Sequence, residues 1–252
     1  MGCTPEKLFK LECGELSTEA LAGTRPRGDT AESDAALAHE VAAAAPPYQL
    51  HSPRPAVRRS NVRRSNLLTH CVPFPPVLAC AQLLHCEKDL REVMAISDFL
   101  VRALSPSSEQ LNHSEPFVLQ LRHVQHICIP FSAKLAPTEG MHQPVRSALE
   151  LLHPTPAVCG TPSGAARRTI RELERFDRGF YAGPLGYLAS DSCEFCVGIR
   201  SALLRGAQAS IFAGAGIVRG STATSEWEEV HVKMKNFVSL VMLGSNRHAF
   251  PD

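Results

Sequence analysis

The sequence predicts an α+β fold with largely antiparallel sheets and flanking helices. Two observations carry this. Strand-like segments come in hairpin clusters, with glycine turns between them, and helical segments fall between the clusters rather than after every strand. A doubly wound parallel sheet would need strict alternation of the two.

In chain order, Lys7 to Glu12 alternates apolar and charged residues, Cys13-Gly14-Glu15 turns, and Leu16 to Ala22 returns as the second arm of a hairpin. Gly23 to Asp29 is an Arg-, Pro- and Gly-rich loop, and Thr30 to Ala45 has a helical pattern. Leu83 to Leu104 is a longer helical pattern that stops before Pro106. Phe117 to Ile129 reads as one or two strands, and Arg146 to Leu152 and Ser163 to Arg175 as helices. Leu185 to Leu188, Phe195 to Leu204 and Ala209 to Gly214 read as strands, before a closing helix from Thr222 to Leu243.

Residues 42–82 interrupt this order. They hold seven prolines and five arginines, no Asp, Glu or Lys, and the pentapeptide Val-Arg-Arg-Ser-Asn twice in succession at 57–61 and 62–66. Such composition buries too little apolar surface to order itself, so the segment is expected to be a disordered insertion. The expected organisation is one domain formed by 1–41 and 83–244, with a tail at 245–252.

Composition excludes several functions. With 44% hydrophobic residues the 252-residue chain can bury a core, and a net charge of +1 argues against general nucleic-acid binding. No run of 18 apolar residues exists, so no membrane span is expected, and the start MGCTPEKLFKLE carries no signal core or transit pattern. Nine scattered cysteines do not form a disulfide framework. Cys193 and Cys196 form a lone C-x-x-C, read as a pair of structural thiols on a strand edge in a reducing compartment.

Candidate chemistry gathers in two acidic pairs. Asp89 and Glu92, and again Glu226 and Glu229, are spaced three apart on predicted helices, which places each pair on one helix face. Two such faces meeting across a cavity would suit Mg²⁺, which takes one or two carboxylates plus water and substrate oxygens. Each pair alone reads as surface charge, with Lys88 and Lys233 as partners. Arg200 stands in an otherwise apolar stretch, either at an edge or as a clamp for a carboxylate. His153 could be a core histidine, a ligand or a substrate donor, and Gly214 and Gly216 allow close backbone approach without matching a nucleotide-binding loop.

Taken together, TPEKLF, STEALAGTRPRG, KDLRE, HPTPAVCGTP, FYAGPLGY, GIRSAL, AGAGIV and EWEEVHVK resemble, in order, the motifs of the chorismate-utilising enzymes. That family includes isochorismate synthase, salicylate synthase and the large chain of anthranilate synthase, and the resemblance covers the chain outside 42–82. It implies the family's anthranilate synthase component I-like fold, here lacking its amino-terminal part. It implies Glu6 as general acid; Leu21, Gly23, Thr24, His153, Tyr181, Arg200, Gly214, Gly216 and Lys233 around the substrate; and Glu92 and Glu229 on Mg²⁺, with Asp89 and Glu226 behind them. Ala20-Leu21 is most similar to the isochorismate branch, so the implied reaction is Mg²⁺-dependent isomerisation of chorismate to isochorismate. That reaction feeds menaquinone, phylloquinone, salicylate or siderophore synthesis.

The same resemblance implies a water-activating lysine on a strand about fifty residues before the acid glutamate, a position this chain does not contain. Loss of a general base lowers rates by roughly 10²–10⁴-fold, so the chain as written is expected to be impaired or inactive. Val93 also stands where the family has histidine. The rival readings are an aminating relative that makes anthranilate, a non-catalytic chorismate-binding fragment, and a nucleic-acid binder using the 54–66 arm. A monomer is expected, without nucleic-acid or membrane partners, in a plastid or, for a non-photosynthetic source, in the cytoplasm.

Overall fold

The computed structural model describes residues 2, 4–26, 87–120, 124–136 and 140–245. The predicted helix over 30–45 and the insertion at 42–82 lie outside the described residues.

Strands β1 (Lys7–Glu12) and β2 (Glu15–Pro26) form the predicted hairpin around Cys13-Gly14, both in left-handed backbone. They sit in the middle of an antiparallel sheet with β3 (Ser108–His113), β4 (Phe117–Gln120), β5 (Val124–Leu135), β6 (Pro184–Leu188) and β7 (Ser192–Val197). The order is β3-β5-β2-β1-β7-β6, with β4 pairing further along β5. A separate hairpin joins β8 (Ser201–Arg205) to β9 (Gln208–Phe212).

Period-two alternation explains the core. On β2 it buries Leu16, Thr18, Ala20 and Ala22, and the register sets these opposite Ala133, Phe131, Ile129 and Ile127 of β5. Helix α1 (Glu87–Leu104) packs on both strands through Val93, Ile96, Leu100 and Leu104, spaced three and four apart as one helical face requires. Phe9 of β1 is fully buried and stacks on Phe195 of β7 at 5.4 Å. The remaining helices are α2 (His142–Leu152), α3 (Pro156–Cys159), α4 (Ser163–Leu173) and α5 (Ala223–Ser245).

Three expectations need correction. The segment Phe195–Leu204 is not one strand. Gly198 turns back to the 182–183 loop, donating to the Gly183 carbonyl at 2.7 Å and accepting from the Ala182 amide at 2.9 Å. Arg200 then takes a left-handed φ of 47°, which ends any ladder. Strand β3 (SEQLNH) was not anticipated, because its ladder comes from long β5 and not from its own polar sequence. Cys193 and Cys196 lie on β7 between β1 and β6, not at an edge; both are free, and burial raises both thiol pKa values, which suits structural thiols.

Candidate active site

A cavity of about 260 Å³ opens where the end of the sheet, the amino-terminal part of α1, the 176–182 loop, the 213–216 loop and α5 converge. Pro5 and Glu6, Leu21 and Gly23, Asp89 and Glu92, Tyr181, Arg200, Gly214 and Gly216, and Glu229 and Lys233 all line it. Residues from seven separate sequence motifs therefore share one wall. Thr24 follows Gly23 on β2, but its side chain is outside the described part.

Glu6 is fastened before β1 begins. Its carbonyl accepts from Val197 N at 3.0 Å, its amide donates to Thr4 Oγ1 at 3.2 Å, and Thr4 Oγ1 donates to the Val197 carbonyl at 2.6 Å. Burial lifts the Glu6 carboxyl to a pKa of about 7; Lys233 lowers it in part, while Glu92 and Glu19 add to the rise. Near neutral pH this group is substantially protonated, as a general acid must be.

Across the cavity, α1 and α5 bring Glu92, Asp89 and Glu229 to the wall. Burial raises the Glu92 carboxyl to about 7, with the Glu229 charge next in weight and Asp89 adding to it, while Lys233 and Lys88 lower it. The crowding arises because i,i+3 spacing puts Asp89 and Glu92 on one face of α1, turned toward α5. Gly216 exists to make room here. A Cβ at that position would collide with Glu92 Oε1, although the Gly216 backbone is not left-handed and would itself accept alanine. We predict that Gly216→Ala displaces the Glu92 carboxylate and weakens Mg²⁺-dependent ligand uptake by about 10–100-fold with the fold intact, read by calorimetric titration beside a thermal melt.

The donor set suits a hard divalent cation. Among the described residues no group of three His, Cys, Asp or Glu side chains could hold a metal ion alone. Two carboxylates, Glu92 and Glu229, with water and ligand oxygens completing the shell, is the arrangement Mg²⁺ tolerates. Glu226, expected behind Glu229 rather than on the ion, does not line the cavity. It is buried off the cavity wall, and its Oε1 lies 2.5 Å from Lys88 Nζ. Burial opposes its ionisation, but the Lys88 ammonium outweighs this and lowers its pKa. Lys88 also stands 3.9 Å from Glu229 Oε2, so the Glu226–Lys88 pair ties α5 to α1 behind the donors.

Cationic side chains also line the wall. Lys233 Nζ bonds Glu229 Oε1 at 2.6 Å and the Gly214 carbonyl at 3.0 Å. Arg200 projects from a strained left-handed residue, a conformation that costs on the order of 1–3 kcal/mol and gathers at functional sites. Tyr181 stacks on Phe212 at 5.5 Å, and burial raises its phenol pKa. Gly214 leaves space for it, since a Cβ there would sit 2.7 Å from Tyr181 Oη.

His153 is displaced from its expected role. It does not line this cavity; its Nε2 is 2.8 Å from the carbonyl of Ala182, which does. It therefore positions the wall rather than a substrate. His126 and Arg178 are among the lining residues missed from sequence. His126, on β5, is buried, and burial drives its pKa down to about 4, with Arg200 and Lys233 lowering it further and a bond to the Gly23 backbone opposing the drop. Arg178 clasps Glu174 in two bonds of 2.7 and 2.5 Å, donates to the Val158 carbonyl at 2.8 Å, and lies over the Tyr181 ring. A lone histidine in the apolar run Gln125–Ile129 carries no motif, and Arg178 gains meaning only once its loop is folded.

Fold and cavity together define an antiparallel α+β scaffold whose concave site sets carboxylates beside cationic side chains, the architecture of an enzyme rather than of a surface-binding module. The chain belongs to the family described as chorismate binding enzyme, whose model matches residues 1–45 and 78–242 and passes over 46–77. The chloroplastic isochorismate synthase of Catharanthus roseus is 34% identical over 96% of this chain and 34% of its own length. Isochorismate synthase MenF of Haemophilus influenzae is 32% identical over 95% of this chain and 45% of its own. Among solved structures, the menaquinone-specific isochorismate synthase MenF of Escherichia coli aligns with a TM-score of 0.69 at 30% identity, covering 95% of this chain and 45% of that one. Anthranilate synthase component I of Streptococcus pneumoniae aligns with a TM-score of 0.64 at 26% identity, covering 93% and 42%. The chain thus spans from a third to under half the length of these relatives. No helix among the described residues is long and apolar enough to cross a membrane.

Proposed function

We propose that this chain supplies the acid, the carboxylate clamp and the metal donors of an isochorismate synthase, which converts chorismate to isochorismate. The observation that carries the proposal is the convergence, on one cavity, of the partly protonated Glu6, the carboxylates Glu92 and Glu229, and the cations Arg200 and Lys233. Curated isochorismate synthases among the relatives support it, and Ala20-Leu21 favours this branch over the aminating one.

In this reading a water oxygen bonds to one ring carbon while the hydroxyl on another leaves. Glu6 delivers its proton to the departing oxygen, so water is taken up and water released and the net change is an isomerisation. Arg200 forms paired hydrogen bonds to a substrate carboxylate, and Lys233, already held on Gly214 and Glu229, adds a second fixed positive charge. Mg²⁺ held by Glu92 and Glu229 would neutralise the ring carboxylate and draw electron density from the conjugated system. His126, neutral at pH 7, contributes a hydrogen bond without adding charge. The attacking water needs a base. The family resemblance gives that role to a lysine on a strand ahead of the motifs that line this cavity.

Incubation with chorismate and Mg²⁺, followed by chromatography, tests the reading. Isochorismate should form without ammonia, and calorimetry should show chorismate uptake that depends on Mg²⁺. Anthranilate formed on adding ammonia would overturn the assignment to this branch. Absence of any chorismate binding would overturn the substrate.

A further inference from the structure

A second cavity, about 530 Å³, lies beneath α4 and shares the Glu174–Arg178 wall with the first. Its volume falls within the usual range for small-ligand pockets. Helix α4 makes a poor structural element by itself. It is 11 residues long, none of them buried, and helices of that length are marginal in water.

Its charges add to the problem. Arg167 and Arg171 stand at i,i+4 on this helix, a like-charge pair that costs a few tenths of a kcal/mol. Other arginines here sit four residues from a glutamate and pair with it: Arg91 with Glu87, Arg146 with Glu150, and Arg178 with Glu174. Arg167 and Arg171 line the cavity and form no ion pair with the described residues. The acids on the same wall are engaged, Glu174 by Arg178 and Asp177 by the Gly179 amide at 2.8 Å. Two exposed guanidiniums one helical turn apart therefore stand at the open mouth of this cavity with no counter-charge among the described residues, beside the apolar surfaces of Ile170 and Phe176.

We propose that the cavity beneath α4 is a second ligand site, taking a small aromatic or cyclic carboxylate with its anionic end on Arg167 and Arg171 and its ring against Ile170 and Phe176. Guanidinium–carboxylate pairing supplies the orientation, and the apolar side supplies the ring contact. The inference is independent of the reaction proposed for the first cavity.

Benzoate is the probe. It should bind the full chain, and NMR should place its chemical-shift changes at the amides of Ile170 and Arg171. The double variant Arg167→Ala/Arg171→Ala should raise the Kd at least about tenfold. Both side chains are exposed, so circular dichroism of the variant should match the parent. Lys233→Ala, in the first cavity, should leave benzoate affinity within about twofold, as expected for a separated site. Three results would overturn the proposal. They are no binding at about 10 mM benzoate, equal affinity in the double variant, and shifts centred on Gly214 and Gly216 with loss of binding in Lys233→Ala. If the double variant does not fold, the shift map on the parent decides alone.

Discussion

Replacing Glu6 by glutamine will lower isochorismate formation by about 10²–10⁴-fold, the usual contribution of a positioned general acid. Glutamine keeps the shape and the hydrogen-bonding capacity but cannot release a proton to the leaving oxygen. With the carboxyl at about 7, the parent should lose turnover as pH rises through 7, because the protonated fraction falls, and the variant should lack that limb. The same group gives a stability signature of its own. The pKa is raised on folding, so the folded state holds the proton more tightly than the unfolded chain does. Its contribution is most favourable below the ordinary value of 4.5 and declines as pH climbs from 4.5 to about 7. Glu6→Gln should remove this decline and stand more stable than the parent at pH 8, with a smaller gain at pH 5. Urea unfolding at the two pH values, beside initial rates from pH 5 to 9, checks both halves. A variant that keeps parental turnover, or one whose stability shifts equally at both pH values, would show that Glu6 is not the proton donor.

Glu6 was legible in the sequence through the motif that carries it, and so were several of its neighbours, while others were not. TPEKLF, KDLRE, GIRSAL and EWEEVHVK are long ordered motifs, and the side chains they contribute reach the cavity directly. His126 arrives by a different route. It lies one residue before Ile127, which pairs with Ala22, and that register brings it to Leu21 and Gly23 from more than a hundred residues away. Nothing local in Gln125–Ile129 encodes that pairing. The His153 assignment failed for a related reason. Residues next to a site and residues behind its wall share the same local sequence character, and only the 2.8 Å contact to the Ala182 carbonyl separates them. Helix α1 was legible because its three-four spacing of Val93, Ile96, Leu100 and Leu104 is written in adjacent residues. Strand β3 was not, because its polar residues become a strand only through the hydrogen bonds of β5.

The second large effect falls on the two carboxylates that α1 and α5 hold across from Glu6. In the double variant Glu92→Gln/Glu229→Gln, chorismate uptake should lose its response to Mg²⁺. The loss should exceed about 100-fold, since removing groups merely behind a metal ligand already costs 10–100-fold. The architecture explains why both must be changed. Glu229 is gripped by Lys233 at 2.6 Å and approached by Lys88 at 3.9 Å, and Glu92 is packed against Gly216. Each is therefore placed without metal, and either alone retains a fixed negative charge on the cavity wall. Like charge gathered on one wall destabilises the empty protein. The variant should accordingly melt no lower than the parent in chelator and should gain nothing when Mg²⁺ is added, whereas the parent should be stabilised by Mg²⁺ in proportion to its occupancy. Parallel melts with chelator and with Mg²⁺ measure this without any turnover. A double variant that still rises in melting temperature with Mg²⁺ would place the ion elsewhere, and Glu92 and Glu229 would then owe their proximity to Lys88 and Lys233 alone.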